Sequence, residues 1–444
     1  MSTSHRSPAG GLLRILGLAF GLAVVVGGVV GQGIFRAPGL VAGAVPHPGT
    51  MLLLWMLGGI LVLIDACAMV ELSASVQRAG GPYVFTSRAL GRVVGTVTGW
   101  ADFLLWIMVT AFLSVVFGEY VQRLGIGSGL PIGILSTALI AACWAVNWTG
   151  TKVSGASQTL FSAIKGVVLI VLIAALMLYR GSAPTAAAAP SAIPASVGVA
   201  GLLVAMRAVL NTYGGWWSSS YFNEEIVDAD RNLARATFGG IITVGVLYVA
   251  VNAAMLHVLS PAEMAASELP AADAAARVFG PASGSLMTGL AIFSVVALTN
   301  LVLMLVSRIG YGMARDGVLP AALASVAPGG TPRIALSIAA AAAALLAASG
   351  TYETLIAVTV PLTVAMIAAV DLAAIMLRLH EPDLPRPFKM PLFPLPAVIG
   401  LMLNLTLLVA MLIGDFKHAA TGIGAAVVLG LGYALWGEKG RTAT

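Results

Sequence analysis

Three observations predict an all-α polytopic membrane protein of about twelve transmembrane helices. Only 9% of the 444 residues are charged and 59% are hydrophobic, with a mean hydropathy of +0.98. A water-soluble chain carries about a quarter charged residues to cover its surface. The apolar residues run in continuous stretches of the ~20 residues that a bilayer-crossing helix needs, too long and unbroken for the alternating strands of a membrane barrel. Finally, two of these stretches are interrupted by glycine and small polar residues, the mark of a transporter's discontinuous helices.

Along the chain the spans centre near residues 23, 61, 106, 139, 169, 210, 246, 294, 342, 365, 403 and 428. Residues 1–10 are polar and form a predicted cytoplasmic N-terminal tail. The first span contains "VVVGGVVGQGIFRAPG" (24–39). It is too long and glycine-broken for a cleaved signal, and no A-x-A site follows it. With four more spans it makes a predicted first five-helix repeat, residues 11–180. The low-complexity "GSAPTAAAAPSAIPASVG" (181–198) reads as an outer loop. The sixth span contains "VLNTYGGWWSSSYFNEE" (209–225) and opens a second, inverted five-helix repeat, residues 197–379. Interruptions at matching positions of two halves point to a binding site, and five helices per half followed by two more fit an inverted repeat. The proline-rich "HEPDLPRPFKMPLFPLP" (380–396) reads as a cytoplasmic connector to two additional C-terminal helices, residues 393–437.

Most of the 23 Lys and Arg residues fall on one side if both termini are cytoplasmic, among them Arg78, Arg88, Lys152, Arg231, Arg308, Arg315, Arg333, Arg386 and Lys389. Arg123, Arg180, Arg277 and Lys417 then face outward. The net charge of +5 is therefore a topology signal. Scattered basic residues predict no nucleic-acid partner. The five histidines are far apart, and neither H-E-x-x-H nor a phosphate-binding Gly-Lys-Ser/Thr loop occurs, so no enzyme, metal, cofactor or ATP partner is expected. Cys67 and Cys143 lie within spans and imply no disulfide framework. An alanine-rich makeup without eukaryotic sorting signals points to a bacterial inner (plasma) membrane.

The breaks carry the predicted chemistry. Non-helical backbone at membrane depth is tolerated only where it lines a cavity or is buried in protein. Freed amides at Gly31, Gln32 and Gly33 would receive an anion, helped by the helix dipole. Freed carbonyls around Tyr213, Gly214, Gly215 and Trp216 would hold a cation. Adjacent anion and cation receptors suit a zwitterion, most simply an α-amino acid. Close helix packing is the other reading of the glycines, but Gln32 and the run Ser218–Ser220 are polar.

At these residues the chain resembles the amino acid–polyamine–organocation (APC) superfamily of permeases, in its L-type and basic amino acid exchanger-like branch. The resemblance rests on "GGVVGQGIF", "ELSASVQRAGGPYVFTSRALG", "NWTGTKVSGASQTLFSAIKG", "YGGWWSSSYFNEEIVDADRNLARA", "SRIGYGMARDGVLPAALASVAPGGTPRIAL" and "RPFKMPLFPLP", in that order over nearly the whole chain. It implies a LeuT-type five-plus-five inverted repeat with broken helices 1 and 6, and alternating access. Gln32 stands where the family has serine, and Asn211 where L-type relatives carry an aromatic gate. Asn300 matches a polar position near the substrate. Lys165 matches the helix 5 lysine that stands in for a sodium ion, either as a fixed charge or as a proton carrier.

The function so implied is a sodium-independent secondary active transporter of amino acids, working by exchange or proton coupling. Its partners would be the amino acid, protons in the coupled case, and the lipid bilayer. A polyamine or other organic-cation permease is the alternative within transporters, and an ion channel the alternative outside them. Arg36 and Arg207 read as outer-vestibule charges, with Asp65 and Asp102 as candidate partners. Glu224, Glu225, Asp228 and Asp230 read as a solvated helix end or part of a cytoplasmic gate.

Overall fold

The computed structural model describes residues 11–31, 33–127, 129–181, 198–280, 283–349 and 352–441. The expected N-terminal tail, Gln32 and nearly all of the 181–198 loop lie outside the described residues.

The described chain is almost wholly helical. Helices α1 (Leu18–Val29) and α2 (Gly33–Ala44) form one apolar run bent by 43°. They lead into α3 (Pro48–Ser75), the short α4 (Pro82–Leu90), α5 (Arg92–Arg123), α6 (Ile132–Trp148) and α7 (Thr151–Met177). After the loop come α8 (Val199–Thr212), a 3-10 turn (Trp216–Phe222) and α9 (Ala229–Val258). The short α10 (Pro261–Ala266) and α11 (Pro270–Phe279) precede α12 (Ser283–Arg315). The chain closes with α13 (Arg333–Ser349), α14 (Tyr352–His380), α15 (Leu395–Gly414) and α16 (Phe416–Arg441). Each of the twelve apolar centres read from the sequence falls on one of these helices. Seven described helices are long and apolar enough to cross a membrane, and the bent α1–α2 pair makes an eighth.

Local chemistry explains several boundaries. Pro48 opens α3, where its missing N–H costs nothing, and the His47 side chain accepts from Thr50 N at 3.2 Å. Ser260 and Glu263 form a reciprocal capping box at the start of α10. Packing then sorts the helices. The apolar windows of α5 and α12 are 72% and 67% buried, against 28% for α7 and 22% for α15. The former are central, and the latter present most of their surface to the hydrocarbon. From Thr299 to Ala314, α12 is buried on every side. Small residues let α1 lie directly on α9. A Cβ at Gly21 would stand 2.7 Å from Ala236 Cβ, and one at Gly240 would stand 2.5 Å from Val25 Cγ1.

One extended contact joins distant parts of the chain. Leu16 N donates to Glu225 O at 3.0 Å and Val227 N donates to Leu16 O at 2.8 Å. This short parallel bridge ties the segment before α1 to the segment after the 3-10 turn. The two broken spans are therefore fastened together at one end.

Candidate functional site

The two breaks abut. At the first, Val30 N donates to Val26 O and Gly31 N to Val29 O, both at 2.8 Å, after which α2 begins at Gly33. At the second, α8 ends, Gly215 takes a left-handed φ of +96°, and the chain tightens into the 3-10 turn. A Cβ at Gly215 would stand 2.7 Å from Gly28 O, and one at Gly28 would stand 2.8 Å from Ser218 Oγ. Backbone meets backbone here because neither residue has a side chain. A Cβ at Gly33 would stand 3.1 Å from Thr212 Cγ2, and one at Gly31 would stand 3.3 Å from Leu298 Cδ2 of α12.

The carbonyls released by the first break are met by side chains from three other helices. Lys165 of α7 is buried and donates to Val30 O at 2.8 Å and Gly27 O at 3.1 Å. Its ammonium sits at the C-terminal end of α1, where the helix dipole favours a cation. Ser294 of α12 donates to Val30 O at 3.3 Å. The Tyr248 hydroxyl of α9 lies 2.8 Å from Val29 O and 3.3 Å from Thr212 O, within reach of both breaks. Its single proton serves one of them at a time.

A buried polar string continues from this point. Ser162 donates to Ala23 O at 2.6 Å, and Gln158 Nε2 lies 3.4 Å from Ser162 Oγ. Asn300 Nδ2 donates to Gln158 Oε1 at 3.4 Å and, through Oδ1, accepts from Asn147 Nδ2 at 3.0 Å. The string links α6, α12 and α7 to α1. A Cβ at Gly27 would stand 2.2 Å from Ser162 Oγ, so Gly27 admits it.

The candidate residues do not all converge. Gly33 meets Thr212 at the end of α8 and Gly215 meets Gly28, with Lys165 against the first break, while Gly31 faces Leu298 of α12. Asn300 joins through the polar string. Gly214 N closes onto Asn211 O at 3.1 Å. Tyr213 is buried but turns toward α3 and α9, where its hydroxyl donates to Trp55 O at 3.0 Å and its ring packs on Trp55 and Tyr248. Trp216 stacks edge-on against Trp217 at 5.5 Å. Asn211 is exposed, apart from the buried cluster. The amide of Gly31, read as free for an anion, is taken up by Val29 O within the turn.

Gly27, Gly28, Gln158, Ser162, Tyr248 and Asn147 were missed by sequence reasoning. Two signals were available: Gly27 and Gly28 stand in the quoted glycine run, and Gln158, Ser162 and Lys165 recur at i, i+4 and i+7 on one face of α7.

The charges are arranged otherwise than their sequence neighbours suggest. Asp102 accepts from Tyr221 at 2.7 Å, and Tyr221 in turn accepts from Trp106 at 2.8 Å. Asp65 lies against Asp371 and Asn404. Neither pairs with Arg36 or Arg207, both of which are exposed. Glu225 belongs to no solvated helix end. It is fully buried in a two-pronged pair with Arg308, at 2.9 Å for each prong, and Thr151 accepts from the same guanidinium at 3.0 Å. Its neighbour Glu224 accepts from Arg315 at 2.8 Å and from Ala79 N at 3.0 Å. Glu225 faces α12 and is shut away against its arginine, whereas Glu224 pairs with Arg315 at a partly exposed position.

Fold and site together define a multi-pass helical membrane protein whose two broken helices enclose a polar centre. The amino acid permease family model matches residues 16–433, and the chain belongs to that family, within the APC superfamily. The family is one of permeases rather than enzymes. The chain is 28% identical over 429 residues to the serine/threonine exchanger SteT of Bacillus subtilis (strain 168), covering 95% of each chain. It is 26% identical over 410 residues to the mouse (Mus musculus) b(0,+)-type amino acid transporter 1, covering 91% of this chain and 84% of that one. With the mouse large neutral amino acids transporter small subunit 2 it shares 28% identity over 437 residues, 94% of this chain and 80% of that one.

Proposed function

We propose that this permease carries amino acids across a bacterial inner membrane without sodium, by exchange or with protons. It would use about twelve spans, both termini cytoplasmic, in a LeuT-type pair of inverted repeats over residues 11–180 and 197–379. The observation that carries the reading is the Lys165 ammonium on the carbonyls of Gly27 and Val30. A fixed cation there does the work a bound metal ion would do, holding the end of α1 to α7 with no ion gradient. Gly33, Gly214 and Gly215 at the abutting breaks, with Gln32 and Trp216 next to them in the chain, would receive the zwitterion, with Asn300 at its side-chain end. Asn211 and Tyr213 point away from this centre, and Gly31 would contribute room rather than a free amide. The names of the relatives support amino acids as cargo, small hydroxylated or neutral ones first.

The test is uptake of labelled amino acids into proteoliposomes, with sodium, pH and internal amino acid varied independently. Replacing sodium by choline should leave uptake unchanged. Exchange predicts that uptake requires internal amino acid and ignores a protonophore, whereas proton coupling predicts acid stimulation and collapse with the protonophore. Strict sodium dependence would overturn the reading, and uptake of putrescine in preference to alanine or serine would move the cargo to polyamines.

A further inference from the structure

On the side of α3, α14 and α15, two carboxyl groups come together. Asp65 lies on α3, Asp371 on α14, and the two are within hydrogen-bonding reach of each other. Asn404 of α15 points its amide at both, 3.4 Å from Asp65 Oδ1 and 3.2 Å from Asp371 Oδ2. Gly400, one turn earlier, leaves room for them. A Cβ there would stand 2.6 Å from Asp65 Oδ1 and 2.9 and 3.1 Å from the two oxygens of Asp371. Three carboxylate oxygens thus surround one point. Asp371 is 1% exposed, and its Oδ1 has no hydrogen-bond partner.

Among the described residues no cation answers them. Arg378 of α14 and Arg386 of the connector are held by Glu71, at 3.0 and 3.2 Å. Arg88 of α4 is paired with Glu381 at 2.6 Å. On α5, Asp102 is bonded to Tyr221, and on α9, Tyr248 is bonded to Val29. Arg207 of α8 is exposed, and His418 of α16 is paired with Asp415. Cys67 of α3 donates to Leu63 O and brings no charge. Two facing carboxylates in a low-dielectric interior, with one amide as their donor and no counter-ion, do not both ionise.

We propose that Asp65 and Asp371 form a proton-binding site, a carboxyl–carboxylate pair that shares one proton at the junction of α3, α14 and α15. The shared proton supplies the missing hydrogen bond between the two groups. Its loss leaves two like charges facing each other and drives α3 from α14 and α15. That movement has a route to the second break, because Gly58 and Gly59 of α3 rest on the Tyr213 ring. The site stands apart from Lys165 and does not depend on the transport reading.

The sign of the pH dependence follows from linkage. A folded state that holds the shared proton loses stability wherever that proton is removed, because two facing charges then remain, so stability falls as pH rises. Thermal unfolding of the purified protein in detergent should therefore drop by several degrees between neutral and alkaline pH. Asp371→Asn and Asp65→Asn each mimic the protonated member and should each remove that drop. Infrared difference spectra of the wild type at neutral pH should show a protonated-carboxyl stretch that shifts in D2O and is absent from both variants. If either variant fails to fold, the other and the wild-type spectrum still decide. Identical pH profiles in wild type and variants, or no such band, would overturn the assignment. Sodium-induced stabilisation at fixed pH that both variants lose would also overturn it, by making the pair a metal-ion site.

Discussion

Lys165 makes two hydrogen bonds to carbonyls at the end of α1. Each hydrogen bond from an ionised donor contributes about 1.5–3 kcal/mol, and removing it leaves buried carbonyls unmet. Lys165→Ala takes the side-chain donor from Gly27 O and leaves Val30 O only the longer bond from Ser294, so uptake should fall at least about tenfold, the equivalent of ~1.4 kcal/mol. The check is uptake at matched protein incorporation with an unchanged elution profile in gel filtration, and full activity in the variant would remove the lysine from the mechanism. The Arg308–Glu225 pair behaves differently, because both partners are buried and, among the described residues, each is the other's ion-pair partner. Breaking one side of such a pair costs about 3–5 kcal/mol, while replacing both can be nearly neutral. Arg308→Met and Glu225→Gln should each lower the unfolding temperature more than the double variant does. Additive losses in a double-mutant cycle would show that the two residues do not act as a pair.

At the scale of elements, the contacts rank the glycines of the two breaks, Gly215 against Gly28 at the junction and Gly31 beside α12. Gly215 combines a φ of +96° with a Cβ position 2.7 Å from a backbone oxygen. Gly31 would meet only the end of the flexible Leu298 side chain, at 3.3 Å. Gly215→Ala should cost about 1–3 kcal/mol of strain and abolish uptake, whereas Gly31→Ala should keep the fold. The reverse ranking in thermal unfolding would show that the breaks do not abut as described. The capping box at α10 makes a second prediction. Glu263 accepts from Arg277 Nη2 at 2.5 Å and from Ser260 N at 2.7 Å, which hold its carboxyl near 2, below the ordinary 4.5. A depressed carboxyl contributes stability above its unfolded value and loses it as pH falls through the folded one. Hydrogen exchange over residues 260–279 should therefore be alike at pH 7 and pH 5, apart from the intrinsic rate. Glu263→Gln should raise it, and equal exchange in variant and parent would exclude the cap as the anchor.

For the whole molecule, the distribution of basic residues makes a testable topology. Lys152, Lys389 and Lys417 are all exposed, and the native cysteines Cys67 and Cys143 are buried. An impermeant maleimide applied to intact cells should label Lys417→Cys and spare Lys152→Cys and Lys389→Cys until the membrane is opened. Labelling of Lys152→Cys from outside would invert the orientation. The ion pairs Arg78–Asp316 and Arg88–Glu381, both at 2.6 Å, gather at the same end of the bundle as the Glu224–Arg315 contact. That end is held by charges, while the breaks are held by glycine contacts and carbonyl hydrogen bonds.

Hydropathy by itself determined the medium, the helical class and the position of every apolar centre, because a chain in lipid must satisfy its backbone within each helix. Glycine content likewise marked both breaks, and one lysine in an apolar run marked the contact that α7 makes with α1. Partners were another matter. Lipid and protein interior are equally apolar, so an apolar run does not say which of its faces meets another helix. Asn211 and Tyr213 stand two residues apart, yet one is exposed and the other buried between α3 and α9. Glu225 resembles its solvated neighbours in sequence and lies against Arg308, 83 positions away. Asp65 finds Asp371 rather than an arginine because α3 happens to pack on α14. Such pairings depend on how the helices cross, which only the tertiary structure decides.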